Sequence, residues 1–145
     1  MPSLNISPEL MRLLVVFLTI AGLLYMVGAV MTFRRYLQER LMDRVLDALS
    51  PSTPEDPLTR RALLTGSILT FITGTHMLLY PASAWLSLTI LVLSQLIYFR
   101  LKQRRYRNAD TDEEKEESRV QATTMNAFRI SLALWLLSLL VSAAR

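Results

Sequence analysis

The chain of 145 residues contains no cysteine. That excludes disulfide exchange, including the four-helix quinone-linked oxidoreductases, and every thiolate metal site. A single histidine, His76, excludes a paired-histidine metal motif within one chain. No Asp or Glu falls inside the long apolar segments, so the buried carboxylate of small proton-coupled multidrug exporters is missing. Neither a Gly-rich phosphate loop nor a serine-elbow motif is present. No catalytic residue, metal site or cofactor is expected from these residues.

What the chain has is apolar length. Hydrophobic residues make up 52% of it, too many to leave material for a separate water-soluble core. A helix needs roughly 20 mostly apolar residues to cross a hydrocarbon core about 30 Å thick. Four segments qualify, at about 13–33, 62–80, 83–100 and 127–144. The fold class expected is all-α, an integral membrane four-helix bundle forming a single domain over residues 1–145.

Arginine and lysine set the expected orientation. The connection after the first span holds Arg34, Arg35, Arg40, Arg44, Arg60 and Arg61. The connection before the fourth holds Arg100, Lys102, Arg104, Arg105, Arg107, Lys115 and Arg119, and Arg129 joins that side. Only Arg12 and Arg145 fall opposite. The positive-inside rule then makes both long connections cytoplasmic and both termini external. The first segment lacks the basic leader and small-residue cleavage site of a signal peptide, so it reads as a span. Fourteen arginines against two lysines suit a GC-rich bacterial genome and hence a bacterial inner membrane.

The connections carry their own patterns. Leu37, Leu41, Val45 and Ala48 recur at helical spacing over 34–50, with Arg40, Asp43, Arg44 and Asp47 between them. This predicts an amphipathic helix that continues the first span or lies on the membrane surface. Residues 51–57 hold Pro51, Pro54 and Pro57 and read as a linker, with Asp56-Pro57 as the cap and first turn of the second helix. Tyr80-Pro81-Ala82-Ser83 reads as a tight outer turn with Ser83 as a cap and Tyr80 and Trp85 as interfacial anchors. Residues 100–123 read as a charged helical hairpin. Its basic block ends the third helix, and its acidic block, 110–117, starts the fourth with a capping box at Thr111 to Glu114.

Helix contacts inside a bilayer favour small and weakly polar residues. Gly66, Thr70 and Gly74 mark such a face on the second span, and Ser131 and Ser138 on the fourth. Hydroxyls in these positions usually satisfy backbone carbonyls of their own helix. Gln95 is read as an interhelical hydrogen bond. His76, near the outer end of the second span, is the one candidate for a proton-linked role, a quinone hydrogen bond or a haem ligand. The basic block of Arg100, Lys102, Arg104, Arg105 and Arg107 is a candidate contact for anionic lipid headgroups or an acidic partner. Topology already explains these charges, so nucleic acid is not an expected partner.

In length and layout the chain resembles small membrane enzymes that act on glutathione and lipid peroxides. Their motif pairs a basic residue with Asn and Glu on the second helix. Here Arg60 and Arg61 are followed by Ala62-Leu63-Leu64-Thr65-Gly66, and the likeness stops at architecture. The function expected is a small polytopic membrane protein, a non-catalytic accessory, assembly or regulatory subunit that packs on other membrane subunits or on itself. The alternatives are a small oligomeric channel or transporter using the Thr/Ser/Gly faces near His76, and thirdly a membrane-embedded enzyme.

Overall fold

A computed structural model describes residues 7–49 and 57–144. The described residues are helical apart from short connections, and four of the helices are long and apolar enough to cross a membrane. Those four are α1 (Pro8–Leu49), α2 (Pro57–Leu79), α3 (Ala84–Asn108) and α5 (Ala122–Ala143), and the short α4 (Asp112–Glu117) precedes α5. The chain is therefore an all-helical, multi-pass integral membrane protein. Ser50, the linker from Pro51 to Asp56, and the cap expected at Asp56 lie outside the described residues.

Why α1 starts where it does is local. The Ser7 hydroxyl accepts from the Leu10 amide at 3.3 Å, and Pro8 takes the first helical position, where its missing N–H costs nothing. From there α1 runs unbroken for 42 residues, about 63 Å at 1.5 Å per residue. It is one continuous helix through the apolar span and the charged stretch beyond Phe33. Tyr80 to Ser83 connect α2 to α3 in a turn, so these two form an antiparallel hairpin. The molecule thus has a turn end, at residues 80–83, and a charged end, where α4 lies.

At the charged end the acidic block does not start the last helix. It forms α4 by itself, and residues 118–121 separate it from α5. Its cap has the geometry of a capping box displaced by one residue: the Glu114 amide donates to the Thr111 hydroxyl at 3.3 Å, while the Glu114 carboxylate accepts from the Asp110 amide at 3.1 Å. Six residues are too few for a stable helix without such end contacts.

The helices pack as a ring, α1 on α2, α2 on α3, α3 on α5, and α5 back on α1. Leu18, Ala21, Met77, Ala84, Leu88, Leu134 and Val141 form the core, which sits toward the turn end. Phe99 and Phe128 meet edge to face at the other end, with ring centroids 5.2 Å apart. Outside this core, Phe17, Leu24, Val27, Phe71, Ile72, Ile90, Ile97 and Leu136 are exposed around the ring. A belt of that extent fits hydrocarbon, not water.

Candidate functional site

The polar side chains inside the ring gather at successive levels along α3. The outermost level is built on His76. Its Nδ1 lies 3.0 Å from the Ser87 hydroxyl and its Nε2 3.1 Å from the Ser83 hydroxyl, so both ring nitrogens are engaged by α3 or the turn before it. Tyr80 stands edge-on to the imidazole, with ring centroids 5.9 Å apart. Ser87 Oγ also donates to the Ala84 carbonyl at 3.0 Å, and Thr73 donates to the Ser87 carbonyl at 3.4 Å. Ser83 does occupy the position before α3, but its hydroxyl makes no capping bond. It turns to His76 and to the Tyr80 carbonyl at 3.3 Å, because it faces the inside of the hairpin.

One turn further, Trp135 on α5 donates its indole N–H to the Thr89 hydroxyl at 2.7 Å, and Thr89 donates to the Trp85 carbonyl at 2.7 Å. The deepest level joins three helices. The Tyr25 and Ser131 hydroxyls lie 2.9 Å apart, the Gln95 amide nitrogen reaches Ser131 at 3.4 Å, and Ser131 donates to the Ala127 carbonyl at 3.0 Å. With its one proton on Ala127, Ser131 serves both Tyr25 and Gln95 as an acceptor. Gln95 Oε1 is enclosed and has no hydrogen-bond partner. Exchanging the amide's O and N would only transfer that deficit to the NH2 group. Between the His76 and Gln95 levels lie the buried Leu88, Leu91 and Val92 of α3 and Leu134 of α5. Apart from the Thr89–Trp135 contact, apolar side chains therefore separate the His76 and Gln95 levels along the axis.

Seven further hydroxyls serve their own helices. Thr19, Thr32, Thr65, Thr75, Ser67, Ser94 and Ser138 each donate to a carbonyl three or four residues back. Thr70 is half-buried, and Ser138 is fully buried beside Trp135. The two glycines singled out on α2 differ. A Cβ on Gly66 would meet nothing within 4 Å, whereas one on Gly74 would lie 2.7 Å from the Gly22 carbonyl oxygen. The contact at Gly74 needs its partner on α1, and the spacing within α2 does not contain that information.

At the charged end the basic block is split. Arg100, Arg104, Arg105 and Arg107 are exposed, but Lys102 is only 3% exposed and turned into the structure. An open groove of about 560 Å³ lies nearby, lined by Phe99, Gln103, Tyr106, Ser118, Arg119, Val120 and Met125. Across the molecule, Asp43 on α1 pairs with Arg60 at the start of α2. The sequence names Asp43 and Arg60 but not their pairing, and Tyr25, Thr89 and Trp135 were not among the residues it singled out. Among the described residues no group of three His, Asp or Glu could hold a metal ion.

Comparison with protein-family models, curated proteins and solved structures finds no match for this chain.

Proposed function

We propose that the chain is a non-catalytic accessory, assembly or regulatory subunit of a larger membrane complex. The observation that carries this reading is how the interior polar groups are spent. His76, the one side chain suited to proton transfer, has both nitrogens taken by serines of its own hairpin. Serine and threonine hydroxyls likewise close on nearby carbonyls, which favours a scaffold over a reaction site. The arginine bias supports an orientation with both termini outside and the charged connections in the cytoplasm of a bacterial cell. Exposed Arg100, Arg104, Arg105 and Arg107 suit anionic headgroups there, each basic residue contributing about 1 kcal/mol near such a surface.

One observation favours a second reading, a small oligomeric channel or transporter: the partnerless Gln95 Oε1, an acceptor inside the ring for a passing donor. The separating experiment is mild extraction of the tagged protein from its native membrane, followed by native mass analysis. Foreign subunits in fixed stoichiometry support the accessory reading. A pure homo-oligomer that conducts or transports, and loses this with Gln95→Leu, supports the second.

A further inference from the structure

The part of α1 beyond the apolar span carries an uncovered apolar stripe. Gly22 and Gly74 fix the register of the antiparallel α1–α2 pair. Counted equally from them, Arg34 on α1 comes level with Ala62 on α2, beside Arg60 and Arg61. Basic residues on both helices thus mark one boundary of the hydrocarbon at that level. Leu41 and Val45 lie about 10–17 Å further along the helix. The headgroup layer is only about 5–7 Å deep on each side, so this segment stands in water unless something covers it.

Its acidic side chains Glu39 and Asp43 are turned inward. Asp43 pairs with Arg60 of α2, and Glu39, on the same side, takes Arg35 at 2.9 Å. Its outward side carries an apolar stripe between the exposed Arg40 and Arg44 on one flank and Gln38 on the other: Leu41, Met42 and Val45 are 60%, 63% and 56% exposed, and Leu37 continues the stripe toward the membrane. Arg34, Leu37, Leu41 and Val45 fall within an arc of about 80° at 100° per residue. The apolar face therefore has a cation at its membrane-proximal end, and Arg34 is exposed there.

We infer that this face is a docking surface for a helix of a different membrane-protein subunit, one presenting an apolar stripe and a carboxylate at the level of Arg34. The inference rests on the subunit reading above and locates the contact. Charge selects the partner. Two copies of this chain related by an axis along the membrane normal would set Arg34 against Arg34, whereas an acidic side chain on another helix would be complementary. Membrane lipid cannot reach Leu41 and Val45 while α1 stays straight.

The absence of cysteine makes the test direct. Leu41→Cys and, as a reference on the exposed end of α3, Asn108→Cys are placed singly in the natural copy. Native membrane fragments open on both faces are then treated with a charged maleimide. Alkylation at position 41 at least tenfold slower than at 108, rising to within threefold when Arg34→Glu is added, is the expected result. Equal rates at 41 and 108 overturn the inference while leaving a partner elsewhere possible, whereas failure of any subunit to co-purify overturns the underlying reading. Protection accompanied by a Leu41→Cys disulfide dimer on oxidation assigns the face to a second copy. Broadening of a nitroxide at position 41 by spin-labelled lipid assigns it to the membrane. Protection that Arg34→Glu leaves unchanged removes the acidic partner. Each of these last three outcomes also overturns it.

Discussion

Gly22 of α1 and Gly74 of α2 lie backbone to backbone: a Cβ on either would sit 2.8 or 2.7 Å from the other's carbonyl oxygen. Without a hydrophobic force between helices in lipid, such close approach lets dispersion hold the pair together. Gly22→Ala and Gly74→Ala each force the helices apart at a backbone atom, which cannot yield as a side chain can. Each should cost ~1–3 kcal/mol, as overpacking does. Thermal unfolding in detergent checks this against Gly66→Ala and Gly28→Ala, whose Cβ atoms meet nothing. These two should be neutral or gain up to ~1 kcal/mol from helix propensity.

The His76 clamp fixes a tautomer for the neutral ring. Ser87 spends its proton on Ala84 at 3.0 Å, so it accepts from Nδ1–H. The Ser83 bond to Tyr80, at 3.3 Å, is the weaker of the two serine-to-carbonyl bonds, so the Ser83 proton turns to Nε2. Nitrogen NMR of ring-labelled protein should show a protonated Nδ1 and a bare Nε2. Ser87→Ala should move that pattern more than Ser83→Thr, which keeps the hydroxyl.

Because both serines act through one ring, their effects should not add. Ser83→Ala and Ser87→Ala should each cost ~1 kcal/mol. In a His76→Phe background the further cost of either should fall toward zero, and a double-mutant cycle on detergent unfolding measures the difference. Full additivity would show that the clamp does not couple α2 to α3.

Trp135 depends on one acceptor, the Thr89 hydroxyl at 2.7 Å. Thr89→Val keeps the shape and strands the indole N–H, at ~1–3 kcal/mol. With Trp85→Phe removing the other tryptophan, the emission of Trp135 should shift to the blue in Thr89→Val and stay in place in Thr89→Ser.

Gln95 should behave in the opposite way. Its carbonyl oxygen already lacks a donor, and the bond from its amide nitrogen to Ser131 is a long 3.4 Å. Replacing a partly satisfied group by an apolar one of similar size can be neutral or stabilising. Gln95→Leu should therefore lie within ~1 kcal/mol of the parent, while Tyr25→Phe, which removes a 2.9 Å bond, should cost more. Unfolding in the same detergent ranks the two.

Much of this was legible in the residues themselves, for reasons confined to single helices. Four apolar runs dictate four crossing helices, because backbone groups in hydrocarbon must bond within the segment. Thr19, Thr75 and Ser94 had little choice but to bond a carbonyl one turn back. Thr111 to Glu114 caps a helix wherever that helix ends. Each of these is settled within four residues of chain. The partners of Gly74, Ser131 and His76 were not, because the 3.6-residue period gives the phase of a face along one helix and says nothing of its rotation or axial register against another. Gly22 and Gly28 are alike as residues, yet only Gly22 meets α2. Ser83 reads as a helix cap until the hairpin brings His76 within 3.1 Å of its hydroxyl. Sequence determined that this chain crosses the membrane as helices. Tertiary packing decided which small residues touch, which hydroxyls leave their own backbone, and that Asp43 of the α1 extension turns to Arg60 of α2 while Leu41 and Val45 stay outward.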